Sequence, residues 1–128
     1  MAHSNQTAVL VVDDQTSCNM VTQSTLSKLG FANIDSANSV EDALRKIRSK
    51  NYGVIISDWH MSPSDGSELL KIVKSFPGKS SPKFYFLTMD GSWGRQTTAR
   101  ELGADGVIVK PQRPGELRNR LCRAMGLH

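Results

Sequence analysis

Apolar runs recur along the chain, and each stops at a polar residue. Ala8-Val9-Leu10-Val11-Val12 stops at Asp13-Asp14, and Val54-Ile55-Ile56 stops at Ser57-Asp58. Phe84-Tyr85-Phe86-Leu87 ends at Thr88, and Val107-Ile108-Val109 ends at Lys110-Pro111. A weaker run surrounds Ile34. Runs that are apolar at consecutive positions, rather than alternating, suit strands covered on both faces, as in a parallel sheet.

Between the runs the period changes to that of a helix. Cys18, Val21, Thr22, Thr25 and Leu29 predict an inward stripe on a helix over residues 16–29, with Gly30 ending it. Ser39 is placed as the N-cap of a second helix whose apolar face is Val40, Ala43, Leu44 and Ile47. Leu69, Leu70 and Val73 point inward from a third helix over 67–75, after loop chemistry from Met61 to Gly66. Pro77-Gly78 breaks the chain. A fourth helix is predicted over 93–102, followed by Gly103, and a fifth over 113–125 with Leu117 and Leu121 inward. Strand and helix alternate five times. The expected fold class is therefore α/β, a doubly wound five-stranded parallel sheet with five helices reached by right-handed crossovers.

Length allows one domain, expected over residues 8–126 after a short disordered N-terminus at 1–7. No apolar run approaches the ~18 residues of a membrane span. The first residues lack the basic and apolar regions of a signal peptide. Two cysteines, Cys18 and Cys122, are too few for a disulfide framework and read as reduced thiols of a cytoplasmic protein. The net charge of +4 is unevenly placed. Residues 1–90 carry nine basic and nine acidic side chains, whereas residues 91–128 carry seven basic and three acidic ones. Arg95, Arg100, Arg113, Arg118, Arg120 and Arg123 cannot all be satisfied by Glu101, Asp105 and Glu116, so part of this end faces water or an acidic partner.

The polar residues at the strand ends carry the chemistry. In an open doubly wound sheet the carboxyl ends of the strands form the ligand edge. Asp13, Asp14, Asp58, Thr88 and Lys110 all fall there. Three carboxylates together repel one another, and a hard cation such as Mg2+, which keeps some of its waters, relieves that conflict. Asp58 can then attack phosphorus as a carboxylate nucleophile, with the Lys110 ammonium neutralising phosphoryl oxygens and the Thr88 hydroxyl donating to one. Each residue alone means little; the order, with every member at a strand end, is specific.

That order resembles the receiver domain of two-component response regulators, and in particular a stand-alone CheY-like receiver with the flavodoxin-like (βα)5 fold. The resemblance covers about residues 7–126. It rests on Val11-Val12-Asp13-Asp14, Asp58-Trp59-His60-Met61, Asp65-Gly66, Thr88, and Gly103-Ala104-Asp105-Gly106 before Lys110-Pro111. It implies that Asp58 is the phosphoacceptor and that Thr88 and Lys110 bind the phosphoryl group. It also implies that Asp13, Asp14, Asp58 and the main-chain carbonyl of His60 hold Mg2+, and that the bond before Pro111 is cis. His60 and Asp90 fall at the two variable positions that tune autodephosphorylation. Three positions depart from the family pattern: Ser62 replaces the usual proline, with Pro63 one place later, Met89 replaces a small residue, and Val107 replaces the aromatic switch residue. Met89 narrows access to Asp58, and with Val107 no ring can couple to Thr88.

Other expectations are plainer. His60 is a solvent-side modulator, because His3 and His128 are terminal and form no metal-binding cluster with it. Met20, Met61, Met89 and Met125 are packing residues. Trp59 is a partly exposed packing residue that reports on metal binding, and Trp93 is available to a partner. The expected function is a phosphorylation-switched signalling protein serving chemotaxis or motility, and not an enzyme beyond its own phosphorylation and autodephosphorylation. The expected donor is a sensor histidine kinase or a histidine phosphotransfer protein. Residues after 126 leave no space for a DNA-binding domain, so output passes through an unidentified protein partner, or the protein relays or drains phosphoryl groups as a monomer. The expected partner surface is Trp93, Arg95, Arg113, Arg118 and Arg123. The alternative is an arginine-rich module that binds an anionic nucleotide second messenger through guanidinium forks. A dehalogenase-type phosphatase needs Asp-x-Asp rather than Asp13-Asp14, and a flavodoxin needs a hydroxyl- and glycine-rich phosphate loop in that place.

Overall fold

The structure is a computed structural model and describes residues 6–76, 82–111, 113 and 115–127. Pro77-Gly78, and residues 1–5 of the expected N-terminal tail, lie outside the described residues, as do His3 and His128. The elements in chain order are β1 (Ala8–Val12), α1 (Thr16–Lys28), β2 (Asn33–Ala37), α2 (Val40–Ser49), β3 (Val54–Asp58), α3 (Gly66–Ser75), β4 (Lys83–Thr88), α4 (Trp93–Leu102), β5 (Gly106–Val109) and α5 (Glu116–Met125). The strands form one sheet in the order β2-β1-β3-β4-β5, and every neighbouring pair is parallel. This is the expected doubly wound α/β fold.

Consecutive residues of the apolar strands feed opposite cores. Leu10, Val12, Ile55, Phe84 and Phe86 pack with Ala43 and Ile47 of α2, Leu69, Leu70 and Val73 of α3, and Ala99 of α4. Val9, Val11, Ile56, Tyr85, Leu87 and Ile108 pack instead with Leu26 of α1 and with Leu117 and Leu121 of α5. Burial on both faces accounts for the absence of alternation in the sequence. The helix starts follow local capping. Ser39 Oγ accepts from the Asp42 N–H at the start of α2, and the Asp65 carboxylate accepts from the N–H groups of Ser67 and Glu68 at the start of α3. Gly30 has a φ of 105° just past α1, a conformation that glycine adopts without strain.

Four expectations need correction. The inward stripe of α1 is rotated: Val21 is exposed, and the buried residues are Asn19, Thr22 and Leu26. Asn19 is polar but belongs inside, because its Nδ2 lies 3.5, 3.2 and 3.1 Å from the carbonyl oxygens of Val11, Asp13 and Ala37. These carbonyls sit at or just past the strand ends, and a buried carbonyl needs a donor. Helix α5 starts at Glu116 rather than 113, with Gly115 as its N-cap. Arg113 precedes Pro114 in the sequence, which biases it away from helical backbone. Met20 and Met89 are not packing residues; both are exposed, whereas Met61 is buried. Among the described residues the cis bond is Ser62–Pro63, and the Lys110–Pro111 bond is not cis. The displaced proline of the β3–α3 loop thus carries the isomer that the resemblance implies for Pro111.

Candidate functional site

Parallel pairing brings the strand ends level. Val12 pairs with Ser57, Asp58 with Leu87, and Thr88 with Val109. The residues that follow β1 and β5, and those that close β3 and β4, therefore meet along one edge. Carboxylate oxygens of Asp13, Asp14 and Asp58 lie within 4.8 Å of one another. Lys110 Nζ donates to Asp58 Oδ2 at 3.2 Å and to Asp13 Oδ2 at 3.4 Å. Asp13 and Asp58 are buried, and Asp14 is exposed.

The electrostatics are unbalanced, since three carboxylates face one ammonium. Burial pushes the Asp13 carboxyl above its usual value; the Gln15 N–H and Lys110 pull it down, Asp58 pushes it up, and the net shift is upward. Burial works against the Lys110 ammonium, but the Asp13 and Asp58 carboxylates outweigh it and raise the lysine's affinity for its proton. The lysine therefore stays charged and satisfies only part of the acidic group. The carboxylates have the oxygen donors and the charge deficit that suit a hard divalent cation.

The surroundings fix these groups from behind. Ser57 Oγ donates to the Asp58 carbonyl at 2.9 Å, and the Gly66 N–H donates to the Trp59 carbonyl at 2.8 Å. A Cβ on Gly66 would lie 2.3 Å from the Asp58 carbonyl oxygen, so only glycine fits where α3 starts against β3. Thr88 is fully buried; its Oγ1 accepts from the Asp90 N–H at 3.1 Å, and its carbonyl accepts from the Lys110 N–H at 2.7 Å. Among the described residues, no hydrogen bond engages the His60 carbonyl.

Other named residues are placed differently. Trp59 is 3% exposed, not partly exposed. Its ring stacks on Phe86 with centroids 4.0 Å apart, and the Arg95 guanidinium lies 4.4 Å from its centroid. Arg95, expected on an open partner surface, is therefore folded inward beside His60 and Asp90. Trp93 is 81% exposed and Met89 is 77% exposed. Arg113, Arg118 and Arg123 are exposed, with no ion pair among the described residues. Val107 lines a cavity of about 180 Å³ between α4 and β5, together with Gln96, Ala99 and Arg100. Sequence reasoning missed Asn19 and the inward turn of Arg95. For Asn19 the available signal was its spacing, three residues before Thr22 and seven before Leu26.

A parallel (βα)5 sheet with an acidic triad and a lysine at its carboxyl edge defines the class. Residues 9–122 match the model of the response regulator receiver domain. The chain belongs to that family and is of the CheY type. It is 32% identical over 111 residues to a probable chemotaxis protein CheY of Rhizobium etli, covering 87% of this chain and 86% of the relative. It is 30% identical over 119 residues to chemotaxis protein CheY1 of Helicobacter pylori, covering 92% and 96% of the two chains. The solved structure of chemotaxis response regulator CheY4 of Vibrio cholerae matches with a TM-score of 0.81 at 30% identity, covering 92% of this chain and 98% of that one. Among the described residues no helix is long and apolar enough to cross a membrane.

Proposed function

We propose that the chain is a phosphorylation-switched signalling protein in which Asp58 takes a phosphoryl group from a phosphohistidine on a kinase or phosphotransfer protein. The observation that supports this most is the Asp58 carboxylate, held 3.2 Å from the Lys110 ammonium within an acidic cluster that the lysine only partly neutralises. An Asp58 oxygen attacks phosphorus, the P–N bond of the donor breaks, and the imidazole leaves with that electron pair. Lys110 moves from carboxylate to phosphoryl oxygen as charge passes to the new group. Thr88 has a buried hydroxyl whose oxygen already accepts from Asp90, which leaves its proton for a phosphoryl oxygen. Asp13, Asp14, Asp58 and the His60 carbonyl would hold Mg2+, which supplies charge neutralisation for the transferring group.

An apolar groove of about 310 Å³ adjoins Lys110 and includes Cys18, Val21, Met89, Pro111 and Leu117, which favours a protein donor over a small one. The names of the CheY relatives support an output in chemotaxis or motility, read by a protein partner. A second reading, binding of an anionic nucleotide, draws on the exposed Arg113, Arg118 and Arg123. Two measurements decide. Wild type should acquire a base-labile acyl phosphate from phosphohistidine donors, and Asp58→Asn should not, at unchanged melting behaviour. Labelling of Asp58→Asn at the wild-type level would sink the acceptor assignment. A thermal shift with nucleotides, set against one with beryllofluoride and Mg2+, separates the two readings.

A further inference from the structure

Arg120 lies in α5 between Leu117 and Leu121, whose burial fixes that helix against the sheet. Its side chain is half-exposed and pairs with Glu116, Nη2 to Oε2 at 3.6 Å. Its Nη1 donates to the Val109 carbonyl at 2.8 Å. Val109 ends β5, which stands at the edge of the sheet with β4 on one side. The peptide joining Val109 to Lys110 is therefore held at both polar ends, because the Lys110 N–H donates to the Thr88 carbonyl at 2.7 Å. In a planar trans peptide the C=O and N–H point to opposite sides, so the Val109 carbonyl faces away from β4, toward the open edge. No strand lies there to supply a donor, and Arg120 supplies one. The Val109 side chain is fixed as well: Gly91 lies so close that a Cβ there would clash with Val109 Cγ2. The exposed pair with Glu116 contributes little by itself, whereas a hydrogen bond from a charged donor belongs to the stronger kind.

We propose that Arg120 is a positioning residue for phosphoryl transfer: by holding the Val109 carbonyl it fixes the peptide plane from which the Lys110 side chain springs. This rests on the acceptor role of Asp58 given above. Lys110 Nζ reaches Asp58 Oδ2 at 3.2 Å and Asp13 Oδ2 at 3.4 Å. A lysine stem is flexible, so its ammonium is only as well placed as its base. With phosphoramidate as donor, an Asp58 oxygen bonds to phosphorus, the P–N bond breaks, and ammonia leaves with the electron pair. The ammonium has to meet the phosphoryl oxygens at that moment, and a charge held out of place loses much of its effect on the transition state. Among the described residues, the polar partners of the Arg120 side chain are Val109 and Glu116, not the acidic group. Its action therefore falls on the rate of transfer and not on the hold on Mg2+.

The test compares wild type, Arg120→Met, Arg120→Lys and Glu116→Gln in single-turnover labelling across a range of phosphoramidate concentrations. Arg120→Met keeps an apolar stem without a donor and should lower the maximal rate about fivefold. Its half-saturating phosphoramidate concentration and its Mg2+ affinity should stay within about twofold of wild type. Arg120→Lys keeps a charged donor and should recover about half of the rate or more. Glu116→Gln removes only the exposed pair and should label at the wild-type rate. In metal-free protein the Lys110 amide should exchange for deuterium about fivefold faster in Arg120→Met, with the amides of β1 and β3 unchanged. Labelled wild type with Arg120→Met equally fast, or with an unchanged Lys110 amide, would overturn the positioning role and leave Asp58 as acceptor. So would a slow rate accompanied by faster exchange throughout β1 and β3, which is loss of stability, or Arg120→Lys as slow as Arg120→Met. Absence of any label on wild type would overturn the acceptor reading itself, and the positioning role with it.

Discussion

Two aspartate–lysine clusters occupy opposite ends of the same sheet and are balanced differently. Toward the amino ends, Asp35 accepts from Lys50 Nζ at 2.8 Å and from the Tyr52 hydroxyl at 2.6 Å, while Lys50 also donates to Asn33 Oδ1 at 2.7 Å. One negative charge meets one positive charge. The hydrogen bonds from Lys50 and Tyr52 hold the Asp35 carboxyl below its usual value, and burial together with Asp35 pushes the Tyr52 phenol up. At the carboxyl ends, one lysine serves two buried carboxylates beside a third, and the Asp13 carboxyl is pushed up despite it. A lysine beside an aspartate therefore does not mark a functional site. Surplus charge held in place by the fold does, because it is relieved only when something else arrives.

The strongest way to break this contrast is to add the missing charge. Mg2+ at about 100 times its dissociation constant should stabilise wild type by ~2.7 kcal/mol in thermal or urea unfolding. Asp14→Ala should lose that increment and Asp35→Asn should keep it; equal responses would erase the distinction. Next in size is Lys110→Ala. Removing a cation from a carboxylate-rich site should leave Mg2+ binding intact or tighten it severalfold. Beryllofluoride-induced chemical shift changes in β5 and α5 should shrink, because the lysine joins the acidic group to those elements.

The closed cluster should behave in the opposite way. Tyr52→Phe should cost about 1 kcal/mol and leave Asp58 labelling unchanged. Since the folded carboxyl of Asp35 lies below its ordinary value of 3.8, its contribution to stability is present above that pH. It fades as pH falls through the depressed value, so urea midpoints of wild type and Asp35→Asn should converge toward acid. The smallest effect on stability, within about 0.5 kcal/mol, is expected for Arg118→Glu combined with Arg123→Glu. That variant should weaken partner capture and flatten its salt dependence while Asp58 labelling from a small donor persists. Normal, salt-independent capture would reduce these arginines to a solvated face.

Much of this fold and site is legible in the amino-acid sequence. The strands buried on both faces, β1, β3 and β4, announce themselves because, Lys83 at the start of β4 apart, nothing in them faces water, and their ends place Asp13, Asp58 and Thr88 by register alone. What escaped was decided by contacts distant in sequence. The orientation of α1 follows from Asn19 reaching a carbonyl 18 positions away, which an apolar stripe cannot reveal. The burial of Trp59 depends on Phe86 and Arg95, and Arg95 meets His60 across 35 positions. Local pattern reports which residues prefer the interior; it does not report which polar group a strand end will need.

Asn19 also has a thermodynamic consequence. Its amide ties the end of β1 to the end of β2, so the acidic turn at Asp13-Asp14 is framed before any ion reaches it. An ion entering such a turn orders little backbone and covers little apolar surface. Calorimetrically, Mg2+ binding should then show almost no heat-capacity change and draw its driving force from released hydration water. In Asn19→Ala the same titration should acquire a heat-capacity term, because binding would have to assemble the turn as well as fill it.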